Sequence, residues 1–300
     1  MLRKILYLIN PVSGTGNKEK LYELIAHHSR KAAIAFEIEN TRPNGDYSFL
    51  RNKIIEKGIT DVVIAGGDGT VNQVVSYLQG LDVNTGIIPM GSGNGLAYAV
   101  GIPKNPAKAL QVIFKGKSES CDGFLVKNKF GCMLTGLGFD AQVAADFLHK
   151  KKRGLFTYIR LCFINYFKAP TYTISLQFGG QLITREILFI SIANSNQFGN
   201  HVTIAPRASL NDGLLDVVIV TKKNKITTAF SLLWQIARGK IKAYDQLEKN
   251  AEATVLYFQT HELYIDNPQL APLHVDGEPI ETAGSLFIRV IPRAFRLIQP

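Results

Sequence analysis

One carboxylate, Asp68, stands among three glycines, Gly66, Gly67 and Gly69, with Thr70 and Asn72 close behind it. Four apolar residues, 62–65, precede this group and read as a buried parallel strand. Val71, Val74, Val75 and Leu78 follow at the spacing of one helix face. A glycine-rich turn between strand and helix lets backbone N–H groups approach an anion, and the helix N-terminus adds partial positive charge. A bare carboxylate repels phosphate, so Asp68 has a purpose there only if it meets a metal ion carried by the phosphate or holds loop amides and hydroxyls. The plainer alternative is an ordinary strand-to-helix turn capped by Asp68 or Thr70. A second such turn follows: a short strand over 86–89, then Met90-Gly91-Ser92-Gly93-Asn94-Gly95-Leu96-Ala97 entering a helix. Two glycine-rich turns of this kind at one sheet edge form the usual ligand position of an open α/β sheet.

At these two turns the sequence resembles the diacylglycerol kinase-like lipid kinases, the group that includes sphingosine and ceramide kinases. Gly66-Gly67-Asp68-Gly69-Thr70 is shared with NAD kinases and phosphofructokinases; Asn10-Pro11-Val12-Ser13-Gly14 and the Gly91 to Ala97 stretch narrow the likeness. The resemblance spans nearly the whole chain. It implies nucleotide contacts at Asn10, Thr41, Gly66, Gly67, Asp68, Gly69, Thr70, Asn72, Gly91, Ser92 and Asn94. It also implies an aspartate near the metal-bound phosphates at Asp122, for which a strand-edge carboxylate is the alternative.

Three later segments extend the likeness. Asp276-Gly277-Glu278 is a good hairpin turn by composition, and the resemblance makes Glu278 the general base on a lipid hydroxyl. An alcohol attacks phosphorus poorly until a nearby group can accept its proton. Ala205 to Val217 contains an Asn-Asp-Gly turn; in some bacterial relatives this turn holds a structural Mg²⁺, which here implies Asp212 with the carbonyls of Ser209 and Leu214. The loop 194–200 matches an Asn-rich family loop but keeps only Gly199 of its glycines, and Gly136-Leu137-Gly138-Phe139-Asp140-Ala141 matches a glycine-rich segment before a helix. Two positions depart from the bacterial diacylglycerol kinase pattern. Gly95 stands where many carry an aspartate, and Gln73 replaces a glutamate, which shifts weight toward long-chain bases or other lipid alcohols.

The elements around these residues follow from pattern. Strands at 5–9 and 33–38, helices carrying Leu21, Leu24 and Ile25 and then 46–57 (capped by Asp46 or Ser48), and the two glycine turns alternate up to about residue 115. That alternation predicts a doubly wound parallel sheet. His27 and His28 near the end of the first helix read as structural. Past Lys117 come strands without intervening helices: a hairpin of 120–126 and 130–135, then 172–178, 187–193, 215–221, 254–260, 273–275 and 286–291. A helical insertion with Trp234 is expected over 225–238. The expectation is α/β plus β: a Rossmann-like N-terminal nucleotide domain of the NAD kinase and diacylglycerol kinase type, followed by a C-terminal β-sandwich domain. The boundaries are 1–118 plus 292–300 and 119–291, with a last strand, 294–298, returning to the first domain and the active site in the cleft between the two.

Composition agrees with two folded domains in 300 residues: 46% are apolar and 19% charged. An excess of 34 basic over 24 acidic side chains gives a net charge of +10, which attracts anionic surfaces; lipid and nucleic acid both fit that charge. The run His149-Lys150-Lys151-Lys152-Arg153 precedes an apolar helix face within 147–168. That face is expected to pack on its own domain while the basic run meets anionic headgroups. No stretch of 18 uncharged apolar residues occurs, and the N-terminal apolar run is too short for a signal peptide. Cys121, Cys132 and Cys162 lack metal spacing and suit a reducing cytosol.

Together these features predict a cytoplasmic, peripherally membrane-associated lipid kinase using ATP and Mg²⁺. Its expected partners are a lipid alcohol and an anionic membrane surface, not nucleic acid, with a homodimer left open. The alternatives are a kinase of a soluble substrate such as NAD, and a nucleotide-dependent membrane-binding protein without catalysis.

Overall fold

The computed structural model describes residues 2–14, 17–148, 150, 160–161, 164–166, 168–199, 202–221 and 255–300. Most of the basic run, most of the apolar helix face, Cys162 and the insertion with Trp234 lie outside the described residues. The chain divides into two compact units, Met1–Cys121 with Arg293–Pro300, and Asp122–Pro292.

The first unit is built on a parallel sheet. Its strands are β1 (Lys4–Ile9), β2 (Ala35–Asn40), β3 (Asp61–Gly66), β4 (Asn84–Pro89) and the end of a last strand, β17 (Ser285–Gln299). They run in the order β2-β1-β3-β4-β17, all parallel, with Arg296 and Leu297 of β17 opposite Asn84 and Thr85. β1 and β3 are the central strands, and every residue of 5–9 and 61–66 is buried, as continuous apolar runs covered on both faces require. The helices α1 (Lys18–Lys31), α2 (Leu50–Lys57), α3 (Asp68–Leu78), α4 (Gly95–Ala99) and α5 (Pro106–Lys115) connect the strands. Two of them begin on a local signal: Asn17 caps α1 through the amide of Glu19, and Asn105 caps α5 with Pro106 next. At the amino ends of the strands Arg3 makes a two-pronged pair with the buried Asp61, at 3.0 Å on each oxygen.

Two local expectations change. The second strand begins two residues later than predicted, because Ala33 turns the chain out of α1 at φ +52° before any extended run can start. α2 is capped by neither Asp46 nor Ser48. Asp46 instead accepts from the Ser48 amide at 2.9 Å in a turn of its own, and the helix starts at Leu50.

The second unit is mainly antiparallel β and includes the helix α6 (Phe139–Leu148). Its strands are β5 (Lys117–Val126), which enters from the first unit, β6 (Lys129–Gly131), β7 (Leu134–Gly138), β8 (Tyr172–Phe178), β9 (Gln181–Ala193), β10 (Gln197–Gly199), β11 (Val202–Thr203), β12 (Leu215–Thr221), β13 (Val255–Thr260), β14 (Glu262–Asp266), β15 (Leu273–Val275), β16 (Glu278–Ile280) and the start of β17; α6 spans Phe139–Leu148. β9 is the organiser. Its first half pairs with β8, and its second half lies between β7 and β12. Along β12 the buried side chains alternate between two cores, Leu215, Val217 and Ile219 in one and Val218 and Val220 in the other. This is the β-sandwich-like domain that the strand pattern predicts.

The expected strand 130–135 is broken, because the amides of Cys132 and Met133 leave the ladder for a carboxylate described below. The two expected strands at 286–291 and 294–298 are one strand, β17, with Arg293 at φ +51° where it passes between units.

Candidate active site

In the first unit the connections after β1, β2, β3 and β4 emerge at the carboxyl edge of the sheet. The order β2-β1-β3-β4 places its topological switch between β1 and β3, where open α/β sheets leave a crevice for ligands. Asn10 bridges that crevice. Its backbone N–H donates to Ala65 O at 2.9 Å, its Nδ2 donates to Thr70 Oγ1 at 2.8 Å, and its Oδ1 accepts from the Val12 amide. Thr41 joins from β2 through its N–H to Ile9 O, 2.9 Å.

The glycines are required by close approach. A Cβ on Gly66 would lie 2.7 Å from Thr70 Cβ, so the first turn of α3 can fold tightly back onto β3 only with glycine there. A Cβ on Gly91 would lie 2.6 Å from Gly67 Cα, so the two glycine-rich turns touch backbone to backbone. Met90 N–H donates to Gly66 O at 2.8 Å and fixes that approach. A Cβ on Gly93 would come within 2.8 Å of Asp68 Oδ2, so the Asp68 carboxylate occupies the place a side chain would take. From the first loop, Gly14 (φ +68°) abuts the Met90 carbonyl.

Gly67 caps α3 without a side-chain bond, so neither Asp68 nor Thr70 is the helix cap. Asn94, at φ +53°, closes its own loop: Oδ1 accepts from the Gly91 amide at 2.7 Å and Nδ2 donates to Gly91 O at 2.8 Å. Gly69 and Asn72 are half-buried on α3, and Ser92 is exposed at the tip of its turn. Lys18, which sequence reasoning did not select, donates from Nζ to Ser13 O, and burial lowers its pKa.

In the second unit Glu278 opens β16. Asp276 and Gly277, at φ +49° and +81°, form the two-residue turn joining β15 to β16, with Val275 opposite Glu278. Positive φ at both central residues marks the mirror-image hairpin turn that Asp-Gly favours. The turn is fastened from below. Asp276, 7% exposed, accepts from three successive amides, Cys132 at 2.8 Å, Met133 at 2.9 Å and Leu134 at 2.9 Å. Glu278 itself lies at the surface, yet the protein crowded around its carboxyl raises its pKa. The Asp276 carboxylate raises it further, and Lys129 opposes both.

Asp122 is 2% exposed and ties two strands to the Asn211-Asp212-Gly213 turn: its Oδ2 accepts from the Gly213 amide at 2.8 Å, and its carbonyl accepts from Asn194 Nδ2 at 2.8 Å. In that turn Ser209 Oγ donates to Asn211 Oδ1, and Asp212 Oδ1 accepts from the Leu214 amide at 3.0 Å. Asp216, at the end of the same motif, is buried against Tyr257 and Gln259, and burial raises its pKa. Among the described residues no three His, Cys, Asp or Glu side chains converge as a metal cage. The structure thus gathers Asn10, Thr41, Gly66 to Thr70 and Gly91 to Asn94 at one sheet edge of the first unit, and Asp122 with Asp212, and Glu278 with Asp276, in the second.

Residues 4–126 match the family model for the diacylglycerol kinase catalytic domain. Residues 133–299 match the YegS C-terminal NAD kinase beta sandwich-like domain. A Shewanella frigidimarina protein named "Probable lipid kinase YegS-like" is 30% identical over 281 residues, covering 90% of this chain and 86% of the relative. The Bacillus subtilis protein named "Diacylglycerol kinase" is 25% identical over 283 residues, covering 92% and 90%. A crystal structure of a diacylglycerol kinase from Bacillus anthracis superposes with a TM-score of 0.76 at 19% identity, over 99% of this chain and 97% of that one.

Proposed function

Because the chain belongs to the diacylglycerol kinase-like lipid kinase family, we propose that it transfers the γ-phosphoryl group of ATP to the hydroxyl of a lipid alcohol at a membrane surface. The observation that carries this reading is the meeting of Gly67 and Gly91, backbone against backbone, at the switch point that Asn10 and Thr70 bridge. Two glycine-rich turns and an N-terminus of α3 without a side-chain cap leave main-chain groups to approach phosphate oxygens closely. Gly66, Gly67, Gly69, Gly91 and Ser92 take the phosphates; Asn10, Thr41, Thr70, Asn72 and Asn94 hold the loops in shape around the nucleotide.

Glu278 accepts the proton of the lipid hydroxyl. The hydroxyl oxygen forms its bond to the γ-phosphorus as the bond from that phosphorus to the β–γ bridging oxygen breaks, and ADP leaves. A raised pKa suits Glu278 to that work, since a stronger base takes the proton more readily. Asp68 fits a hard cation beside the phosphates, its carboxylate lying where Gly93 leaves room. Asp212, with the carbonyls of Ser209 and Leu214, is the oxygen-only donor set such a cation prefers. Mg²⁺ held at Asp68 would neutralise phosphate charge. Asp122 keeps the Asp212 turn in place through Gly213.

No helix among the described residues is long and apolar enough to cross a membrane. Contact with the lipid is proposed through the basic run beginning at His149, whose charge suits anionic headgroups. The test is radiolabelled ATP with a mixed lipid extract in vesicles, the product identified by mass. A phosphorylated lipid alcohol is the expected product; ATP binding without lipid phosphorylation overturns the reading.

A further inference from the structure

Gly136 to Ala141 stands out in the sequence, yet no step above uses it. The structure gives it a partner. In the register of β15 against β7, His274 lies opposite Gly136. A Cβ on Gly136 would collide with the Asp140 carboxylate, so glycine at 136 is what admits that carboxylate. Asp140 and His274 are 6% and 1% exposed, and Asp140 Oδ2 lies 3.4 Å from His274 Nε2. On the far side of the ring, Nδ1 accepts the backbone N–H of Gly277 at 3.2 Å, and Gly277 directly precedes Glu278. A nitrogen that accepts carries no proton, so the ring proton sits on Nε2 and faces Asp140. Thr135 Oγ1, donating to His274 O at 2.6 Å, fixes the backbone beneath the ring.

We infer that His274 is a positioning residue for phosphoryl transfer: Asp140 fixes its tautomer, and its Nδ1 holds the Gly277 N–H so that the Glu278 carboxylate is presented in one orientation. The inference rests on the reading of Glu278 as the base. Burial raises the pKa of Asp140, and its contact with His274 acts the other way.

The test compares three substitutions and one cycle, in vesicles with ATP. His274→Asn leaves an acceptor near the Nδ1 position and His274→Gln leaves a donor near the Nε2 position; each loses half of the network. Positioning through Gly277 predicts that kcat falls by about tenfold in the Gln variant but only about threefold or less in the Asn variant, with similar Tm and unchanged KM for ATP. His274→Leu lowers kcat by about tenfold in the wild-type background and by less than about twofold when added to Glu278→Gln. Equal kcat in the Asn and Gln variants, or an equal cost of Leu in both backgrounds, overturns the inference while leaving Glu278 as the base. Near-normal turnover of Glu278→Gln alone overturns the base and the inference together.

Discussion

Gly67 and Gly91 belong to different strand-to-helix turns, and their backbones are in contact: a Cβ added to Gly91 would lie 2.6 Å from Gly67 Cα, and one added to Gly67 would lie 3.1 Å from Gly91 Cα. Gly91→Ala therefore separates the turns without changing any charge. ATP affinity is expected to fall by about tenfold or more, roughly 1.4 kcal/mol, measured by calorimetric titration. ATP binding unchanged in the Ala variant would remove these turns from the phosphate site.

Glu278→Gln keeps shape but cannot accept a proton. Turnover should drop by a factor on the order of 10²–10⁴ with nucleotide binding intact. Near-normal turnover of the folded variant refutes the assignment.

The pH dependence has a definite sign. A base works only when ionised, and Glu278 is held above the ordinary glutamate value by desolvation first and the Asp276 carboxylate second. Activity is thus lost on acidification at a higher pH than an unperturbed glutamate would give. Lys129 pulls the other way, so Lys129→Met moves the acid limb of kcat/KM to still higher pH. Superimposable profiles of the two proteins would contradict this origin of the limb.

Asp276→Asn leaves a single oxygen where two now receive the amides of Cys132, Met133 and Leu134. An amide NH₂ would also face buried donors. The expected cost is about 2–4 kcal/mol, read as a lower urea midpoint. A midpoint within experimental error of wild type would show that the three bonds contribute nothing net.

Replacing Lys150, Lys151, Lys152 and Arg153 together by Ser removes four of the charges expected at an anionic surface. At about 1 kcal/mol per charge near the surface, binding to anionic vesicles should weaken strongly at low salt and converge with wild type at high salt. Cosedimentation measures it. Equal binding at low salt would assign membrane contact to other residues.

The parts of this molecule written in short-range pattern were legible in the sequence. The runs 5–9 and 62–65 are continuous and apolar because both faces of β1 and β3 are covered, and the glycine turns announce a backbone approach. Asp276-Gly277 named its own hairpin. What the carboxylate of Asp276 does was not legible, because its partners lie more than 140 positions away and any turn aspartate reads alike. Asp122 is similar: its Gly213 partner comes from a distant segment. β14 was missed because only Leu263 and Ile265 alternate in it, too short a period to register. β17 was read as two strands because Pro292 lacks a donor and resembles a boundary. His274 and Asp140 left no joint signal, since a lone buried histidine is usually structural.

The first unit is discontinuous, and this bears on how the protein is made. Its fifth strand is contributed by residues beyond Arg293, synthesised after the whole second unit, so the open side of β4 stays unpaired throughout translation. Phe295, Leu297 and Ile298, buried in the finished fold, have no counterpart in the emerging chain until then. Folding therefore cannot proceed strictly from N-terminus to C-terminus, and a nascent edge of this kind is a template for wrong pairing. Residues 1–121 expressed alone would carry that edge permanently, whereas the second unit is one contiguous segment, Asp122–Pro292, and holds all of its own strands by the time Pro292 is made.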